Sequence, residues 1–355
     1  MRLRIDKGQI GKPRRMSAKY RPKLGDVAAQ AGVANATASR ILSNDATLKV
    51  RPETRERVLA AAAALKYQPN PSARGLRTAQ TLSIGIVVPQ LINPVYPQMI
   101  IGADRAAKER GYSLIIAQMT DLMDPIVYET MANNLRIDGL LVATLQDEAK
   151  QLAVLKTLQI PAVLVNRKAK GFASSILCDE VAGAKRATQY LIDQGHRRIA
   201  HLAGDPRRFN AQLRLEGYRQ ALAESGITYD PSLIAISDYD QRGGERAMQE
   251  ILDRPGPAPT AIFVVTLVAA AGALATLHRA KIDVPGEMSV LSFHESSLAE
   301  MLFPPLTTLS VPLDEMGFVG AHGLIDIIEG KRKTFRQVLD AGEVIERDSV
   351  AAIDL

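Results

Sequence analysis

From residue 81 onward, short apolar runs alternate with amphipathic segments. Nine runs stand out: Ser83–Pro89, Tyr112–Ala117, Gly139–Ala143, Ala162–Asn166, Ile199–Gly204, Leu233–Ser237, Ala261–Thr266, Met288–Phe293 and Leu306–Val311. Each is four to eight residues long and bounded by polar or turn residues, the pattern of a buried strand. Between them, Met99–Arg110, Val181–Gln194, Leu213–Ser225, Gly243–Asp253 and Val268–Ala280 read as helices. Strand–helix alternation predicts parallel sheets covered by helices. Nine runs over about 275 residues are too many for one ordinary domain, so two doubly wound lobes are expected. Such folds bind ligands at the carboxyl ends of their strands, here in a cleft between the lobes.

The first eighty residues have a different texture. Leu24, Val27, Ala28 and Ala31 fall on one helical face, and Gly32 interrupts it. A second short helix is expected from Asn35 to Leu42, with Ile41 and Leu42 turned inward. Two short helices joined by a glycine-containing turn form a helix-turn-helix. Pro52 suits the first position of a third helix, whose buried stripe should be Val58, Leu59, Ala62 and Leu65. Asn70-Pro71 is a helix-start signal for Ser72–Arg77, a segment too short to be stable without a partner; a plain linker is the alternative.

Charge sharpens this division. Residues 1–77 hold 17 Lys+Arg and 5 Asp+Glu, whereas residues 78–355 hold 27 and 33. A head of +12 on a body of −6 points to a polyanion partner for the head. Residues 1–23 carry nine of the basic residues and no apolar period, and read as a flexible arm or, equally, as an overlong start before Met16. A 46% hydrophobic composition supports a large core, and the single Cys excludes a disulfide framework. No apolar run is long enough to cross a bilayer, and no apolar stretch follows the charged N-terminus as a secretory signal requires. A cytoplasmic, nucleoid-associated protein without membrane contact follows.

Enzyme motifs are missing. No G-x-G-x-x-G follows the first strand, and neither a G-x-x-x-x-G-K-[ST] loop nor a G-x-S-x-G elbow occurs. None of the five His residues forms an H-x-x-x-H pair, and Cys178 reads as a small packing residue. No metal, cofactor or catalytic activity is expected.

A collinear set of short motifs then becomes specific. It runs Asp26-Val27-Ala28, Ala31-Gly32-Val33, Thr37, Ser39-Arg40, Glu53-Thr54-Arg55, Tyr67-Gln68-Pro69-Asn70 and Ala73-Arg74-Gly75-Leu76-Arg77. It continues through Ile84-Gly85, Asn93-Pro94, Gly195-His196-Arg197-Arg198-Ile199-Ala200, Leu202-Ala203-Gly204, Pro304-Pro305-Leu306-Thr307-Thr308 and Glu315-Met316-Gly317. Over residues 24–355 the chain resembles the LacI/GalR family of transcription regulators. The resemblance implies an all-α helix-turn-helix headpiece joined to an α/β core of two doubly wound, periplasmic-binding-protein-like lobes. It implies these parts: a flexible basic arm at 1–23, the DNA-binding domain at 24–69, a hinge helix at 70–80, and an effector-binding and dimerisation core at 81–355. The N-lobe would take about 81–178 and 313–339, the C-lobe about 179–312 and 340–355. The partners implied are a palindromic double-stranded operator, a small-molecule effector and a second copy of the chain. Some relatives add a C-terminal leucine repeat that makes tetramers; with Ala351–Leu355 at the end of this sequence, a homodimer is expected.

The family's base-facing positions map onto Asn35, Ala36 and Arg40, the last with a fork that matches guanine O6 and N7. Thr37, Ser39 and Ser43 suit phosphate or base contacts. Leu76 matches a minor-groove wedge and Ala73 a close helix approach. Lys23 and Ala34 stand where relatives usually have Ser or Thr caps, so those side-chain caps should be missing, at a cost of about 1 kcal/mol each. Effector positions map onto Val95, Tyr96, Asn166, Arg167, Arg208, Arg214, Tyr239, Thr266 and His294. Relatives use Arg at position 214 to hold ligand hydroxyls or a carboxylate, and an aromatic at 239 to stack on the ligand; core packing is the other reading of Tyr239. Thr266-Leu267 replaces a common Asn-Asp, and His294 replaces a common Asp. Losing that carboxylate near Arg208 and Arg214 makes a cationic cleft and an anionic effector, a sugar acid or sugar phosphate, the expectation; a neutral polyol is the alternative. The rival to a regulator is a ligand-binding module of the periplasmic type without an operator.

Overall fold

The computed structural model describes residues 22–42, 45, 47–67, 80–119, 126–134, 137–145 and 148–353. They form two compact units divided after Gln80.

The first unit contains helices α1 (Leu24–Ala31), α2 (Asn35–Leu42) and α3 (Pro52–Ala64). Gly32 ends α1 in the left-handed region at φ 64°, where its N–H reaches Ala29 O and the Val33 N–H reaches Ala28 O. Glycine carries no steric penalty there. Val27, Ala28, Ala31, Ala38, Ile41, Val58, Ala61 and Ala62 form the small core. Leu59 is not part of it: it is 49% exposed, because Val58 and Ala61-Ala62 set the inward face of α3 and the neighbour of Val58 turns about 100° away. Lys23 makes no side-chain cap. The reciprocal half of a capping box remains, since Asp26 accepts the Lys23 backbone N–H at 2.7 Å.

The second unit holds twelve strands in two six-stranded sheets. They are β1 (Ser83–Val88), β2 (Ser113–Gln118), β3 (Gly139–Val142), β4 (Ala162–Val165), β5 (Ser175–Cys178), β6 (Ile199–Ala203), β7 (Ile234–Ile236), β8 (Ala261–Val264), β9 (Ser289–Phe293), β10 (Thr307–Leu309), β11 (Arg336–Leu339) and β12 (Val344–Ile345). The first sheet, in order β11-β5-β4-β3-β1-β2, is parallel throughout. The second, β12-β10-β9-β8-β6-β7, is parallel except for β12 at one edge. The chain passes from the first sheet to the second after Cys178, returns after β10, and crosses again after Leu339. All nine apolar runs contain strands. The three further strands are a four-residue β5 and two edge strands; β11 exposes three of its four residues, so it carries no apolar run.

Glycines let the covering helices approach. A Cβ on Gly102 in helix Val95–Glu109 would sit 1.8 Å from Asp314 O, and one on Gly317 in helix Leu313–Ile328 would sit 1.9 Å from Met99 O. The two helices therefore cross backbone against backbone and hold the first lobe's wall in place.

Candidate functional site

The carboxyl ends of both sheets open into one cavity of about 410 Å³. Pro89 follows β1, Ala143 follows β3, Asn166 follows β4, Asp205 lies just beyond β6, Thr266 just beyond β8, and His294 follows β9; all line it. In parallel sheets this edge is where loops diverge and leave a crevice. The nine effector positions expected from sequence, Val95, Tyr96, Asn166, Arg167, Arg208, Arg214, Tyr239, Thr266 and His294, all border this space. Val95 and Tyr96 are nearly buried at the start of helix Val95–Glu109, and supply an apolar wall.

Three lining residues stand in the left-handed region: Asn166 (φ 51°), Tyr239 (φ 62°) and His294 (φ 76°). Non-glycine residues enter it at a cost of order 1 kcal/mol or more, and cluster at sites that need a fixed side-chain direction. Tyr239 OH lies where a Cβ on Gly204 would be, 2.0 Å away, so the ring can occupy its place only over a glycine.

Arg214 is 2% exposed and its guanidinium is turned into the protein. Nε donates to Glu180 Oε2 at 2.6 Å, Nη1 to Val265 O at 2.6 Å, and Nη2 lies 3.1 Å from His294 Nε2. The Phe293 ring sits 4.0 Å below it. Glu180, 1% exposed, opens helix Glu180–Asp193 and also accepts from Asn210 Nδ2 at 2.8 Å. This carboxylate changes the electrostatics expected from sequence. It balances Arg214, so the charge of the cleft is set by Arg167, Lys168, Arg207 and Arg208 against Asp205, Asp238 and Asp240, with Arg207 and Arg208 both ion-paired to Asp205. Burial, with Arg214 and Arg167 nearby, holds the His294 ring neutral, well below the ordinary histidine range.

Thr266 also differs from its expected use. Its hydroxyl caps helix Leu267–Arg279 by accepting the Ala269 N–H at 3.2 Å, so its first duty is structural. Asp240 does the same for helix Gln241–Leu252. Sequence reasoning missed Glu180, Asn210, Asp205 and Lys168. Asp179-Glu180 before an amphipathic run was the available signal for the first; an acidic pair at a helix start usually means capping, and Asp179 does cap, accepting the Ala182 N–H at 2.9 Å.

Six buried side-chain polar atoms lack a partner among the described residues: Thr144 Oγ1, Asn166 Oδ1, His201 Nε2, Asn210 Oδ1, Tyr239 OH and His294 Nδ1. Four of them belong to residues that line the cleft: Asn166, Asn210, Tyr239 and His294. An unpaired buried polar atom costs about 1–3 kcal/mol, and their convergence on one cavity points to a polar ligand that completes them.

In the headpiece, Asn35 and Ala36 are exposed on α2, and Thr37 and Ser39 are half-buried beside them. Arg40 is held by the loop after the helix: Nε donates to Asp45 Oδ2 at 2.7 Å and Nη2 to Thr47 Oγ1 at 3.0 Å. The Thr47 hydroxyl, then Arg40 Nε and the Thr47 N–H, donate to the Asp45 carboxyl and hold it down at about 2. Ser43, Ala73 and Leu76 lie outside the described residues.

Comparison with known proteins agrees with both units. Residues 23–70 match the model for bacterial regulatory proteins of the lacI family, and residues 188–350 match the periplasmic binding protein-like domain. The chain is 30% identical over 334 residues to the HTH-type transcriptional regulator DegA of Bacillus subtilis, covering 93% of this chain and 98% of that one. It is 32% identical over 312 residues to the ribose operon repressor of Escherichia coli, covering 85% and 92%. A crystal structure of the lac repressor dimer bound to operator and the anti-inducer ONPF superposes with a TM-score of 0.81 at 26% identity, over 94% of this chain and all of that one. With its helix-turn-helix unit and two-lobed parallel core, the chain belongs to the lacI family of bacterial regulatory proteins.

Proposed function

We propose that the protein is a sequence-specific transcriptional repressor, not an enzyme, whose operator affinity is set by a sugar, sugar acid or sugar phosphate bound between the core lobes. The observation that carries this is the cleft itself: four residues with a buried polar atom unpartnered among the described residues, three of them strained, line the space where the two lobes face each other. Arrangements that leave polar groups unpaired persist where a ligand repays them.

The switch follows from the wiring of the cleft. Asn166 and Arg167 extend from the first sheet, whereas Arg208, Arg214, Tyr239 and His294 come from the second lobe. Gln98 Nε2 already spans the gap to Glu295 O at 2.7 Å, and Arg208 Nη1 reaches Leu145 O at 3.5 Å. A ligand touching both walls strengthens closure and biases one lobe orientation. In a homodimer that orientation sets the spacing of the two headpieces over a two-fold operator. Large apolar side chains left exposed on both lobes support dimer formation: Ile92, Ile101 and Ile116 on one, Leu298, Met301 and Phe303 on the other. Acting on DNA places the protein in the cytoplasm, at the nucleoid.

The test is to select an operator from a random duplex pool, find a ligand by thermal shift among sugars, sugar acids and sugar phosphates, and measure operator affinity with and without it. Coupling of about 1–3 kcal/mol predicts a 5–150-fold change. A ligand that saturates the cleft and leaves operator affinity unchanged removes the switch.

Two variants separate base reading from phosphate contact. Leu76→Ala should weaken operator binding far more than binding to random duplex, because wedge insertion matters only where the bend is used. Equal losses on both would count against it. Asp45→Ala should release Arg40 from its fixed direction. Operator preference over random duplex then falls by roughly 5–10-fold, as part of one bidentate base contact is lost, while affinity for random DNA holds or rises. Unchanged preference in competitive anisotropy would show that Asp45 does not aim Arg40.

A further inference from the structure

The cleft contains a chain of four buried polar residues whose hydrogen-bond direction is fixed from within. Arg214 can only donate. It donates through Nε to Glu180, and through Nη2 it faces His294 Nε2 at 3.1 Å. Nε2 must therefore be the bare, accepting nitrogen, and the ring proton sits on Nδ1. That Nδ1 is buried and without a partner among the described residues, in a residue that lines the cavity. At the other end, Glu180 paired with Arg214 accepts Asn210 Nδ2 at 2.8 Å, which fixes the Asn210 amide and leaves its Oδ1 buried and without a partner among the described residues. Asn210 Nδ2 and Arg214 Nε both donate into Glu180, and Arg214 donates onward to His294. The two free ends thus have opposite character: an acceptor at Asn210 and a donor at His294.

We infer that His294 is a locked hydrogen-bond donor that selects an effector presenting an acceptor oxygen of a carboxylate or phosphate there, with a hydroxyl donor presented to Asn210. The inference rests on the cleft being the effector site and narrows its ligand class to polyhydroxylated anions. An aspartate at this position could only accept from a hydroxyl. Histidine in this tautomer can only donate, which inverts the requirement placed on the ligand. A neutral hydroxyl can also accept from His294, so the choice of an anion rests on the lining charge: Arg167, Lys168, Arg207 and Arg208 against Asp205, Asp238 and Asp240, a net positive wall. Because Glu180 already balances Arg214, selection falls to the direction of the His294 proton and to these remaining cations.

The experiment has two readouts on the full-length protein. Nitrogen-15 spectra of histidine-labelled protein at pH 7, assigned by the signal lost in His294→Gln, should show Nδ1 protonated and Nε2 bare. A proton on Nε2, or an average of both tautomers, overturns the lock whatever the cleft binds. Calorimetry then compares matched pairs: glucose with glucuronate and glucose 6-phosphate, galactose with galacturonate, and ribose with ribonate and ribose 5-phosphate. Acid or phosphate should be preferred over its neutral parent. His294→Asp should lower affinity for the preferred anion by roughly 10–100-fold, the loss expected for one hydrogen bond to a charged group, and shift preference toward the neutral sugar. His294→Asn separates function from folding: it tolerates the left-handed backbone, can accept from Arg214 and still donate, and should retain the anion preference. Preference for a neutral parent in the unaltered protein overturns the inference while leaving the cleft an effector site. Binding of none of these compounds overturns the ligand class. A bound anion that leaves operator affinity unchanged strikes instead at the regulatory reading.

Discussion

Glu180→Ala should destabilise the core by about 3–5 kcal/mol, the usual result of stranding one member of a buried ion pair. Arg214 would keep its charge in a site where it is 2% exposed, with only Val265 O and neutral His294 as close polar partners. The Phe293 ring face beneath it helps but cannot replace a carboxylate at 2.6 Å. Thermal unfolding should show a fall in Tm of roughly 10 °C for a core of this size. Replacing both partners, Glu180→Leu with Arg214→Met, should recover much of the loss, since apolar residues of similar volume carry no desolvation penalty. The double variant should nonetheless fail to bind effector, because Asn210 and His294 lose the groups that orient them. If Glu180→Ala unfolds within 1 kcal/mol of the parent, the buried pair is not what holds this part of the cleft together.

Gly317→Ala should also destabilise, against its local preference. Alanine is favoured over glycine in a helix by about 1 kcal/mol, so the propensity change alone would stabilise. The added methyl meets Met99 O at 1.9 Å, and backbone at that distance cannot be relieved by a side-chain turn. Helix Leu313–Ile328 must move off helix Val95–Glu109, at a typical overpacking cost of 1–3 kcal/mol or more. Helix Val95–Glu109, which loses that packing, carries Val95, Tyr96 and Gln98, so effector affinity should fall together with stability. Urea unfolding and calorimetry on the same preparation check both. A stabilised variant with unaltered binding would show that this crossing is looser than its geometry.

These two sites also show what the sequence could reveal. Strands with unbroken apolar runs, such as Ser83–Val88 and Ala261–Val264, were legible because burial on both faces leaves no polar positions. Arg336–Leu339 was not: it is an edge strand with one buried residue, held by its neighbour's backbone and not by side-chain pattern. The headpiece helices were legible from Gly32 and Pro52, whereas Leu59 was misjudged because one hydrophobe beside Val58 does not say which of the two faces inward. In the cleft, the lining positions followed from family resemblance. The direction in which each points did not. Arg214 looked like a ligand-holding cation until Glu180, 34 positions away in sequence, took its Nε. The character of His294 depends on the same long-range pair, which no local spacing records.

The left-handed backbone at Asn166, Tyr239 and His294 has a consequence for how this regulator can change over time. Positive φ restricts a position to glycine and a short list of tolerant side chains, with asparagine, aspartate and histidine foremost. Mutational drift at 166 and 294 is thereby channelled through residues that are nearly all hydrogen-bonding. A lineage that exchanges Asp for His at position 294 keeps its backbone and reverses the polarity of its ligand contact in one step. The strain that fixes the cleft thus also defines a narrow alphabet for its evolution, in which new specificities are reached by swapping donors for acceptors on an unchanged frame.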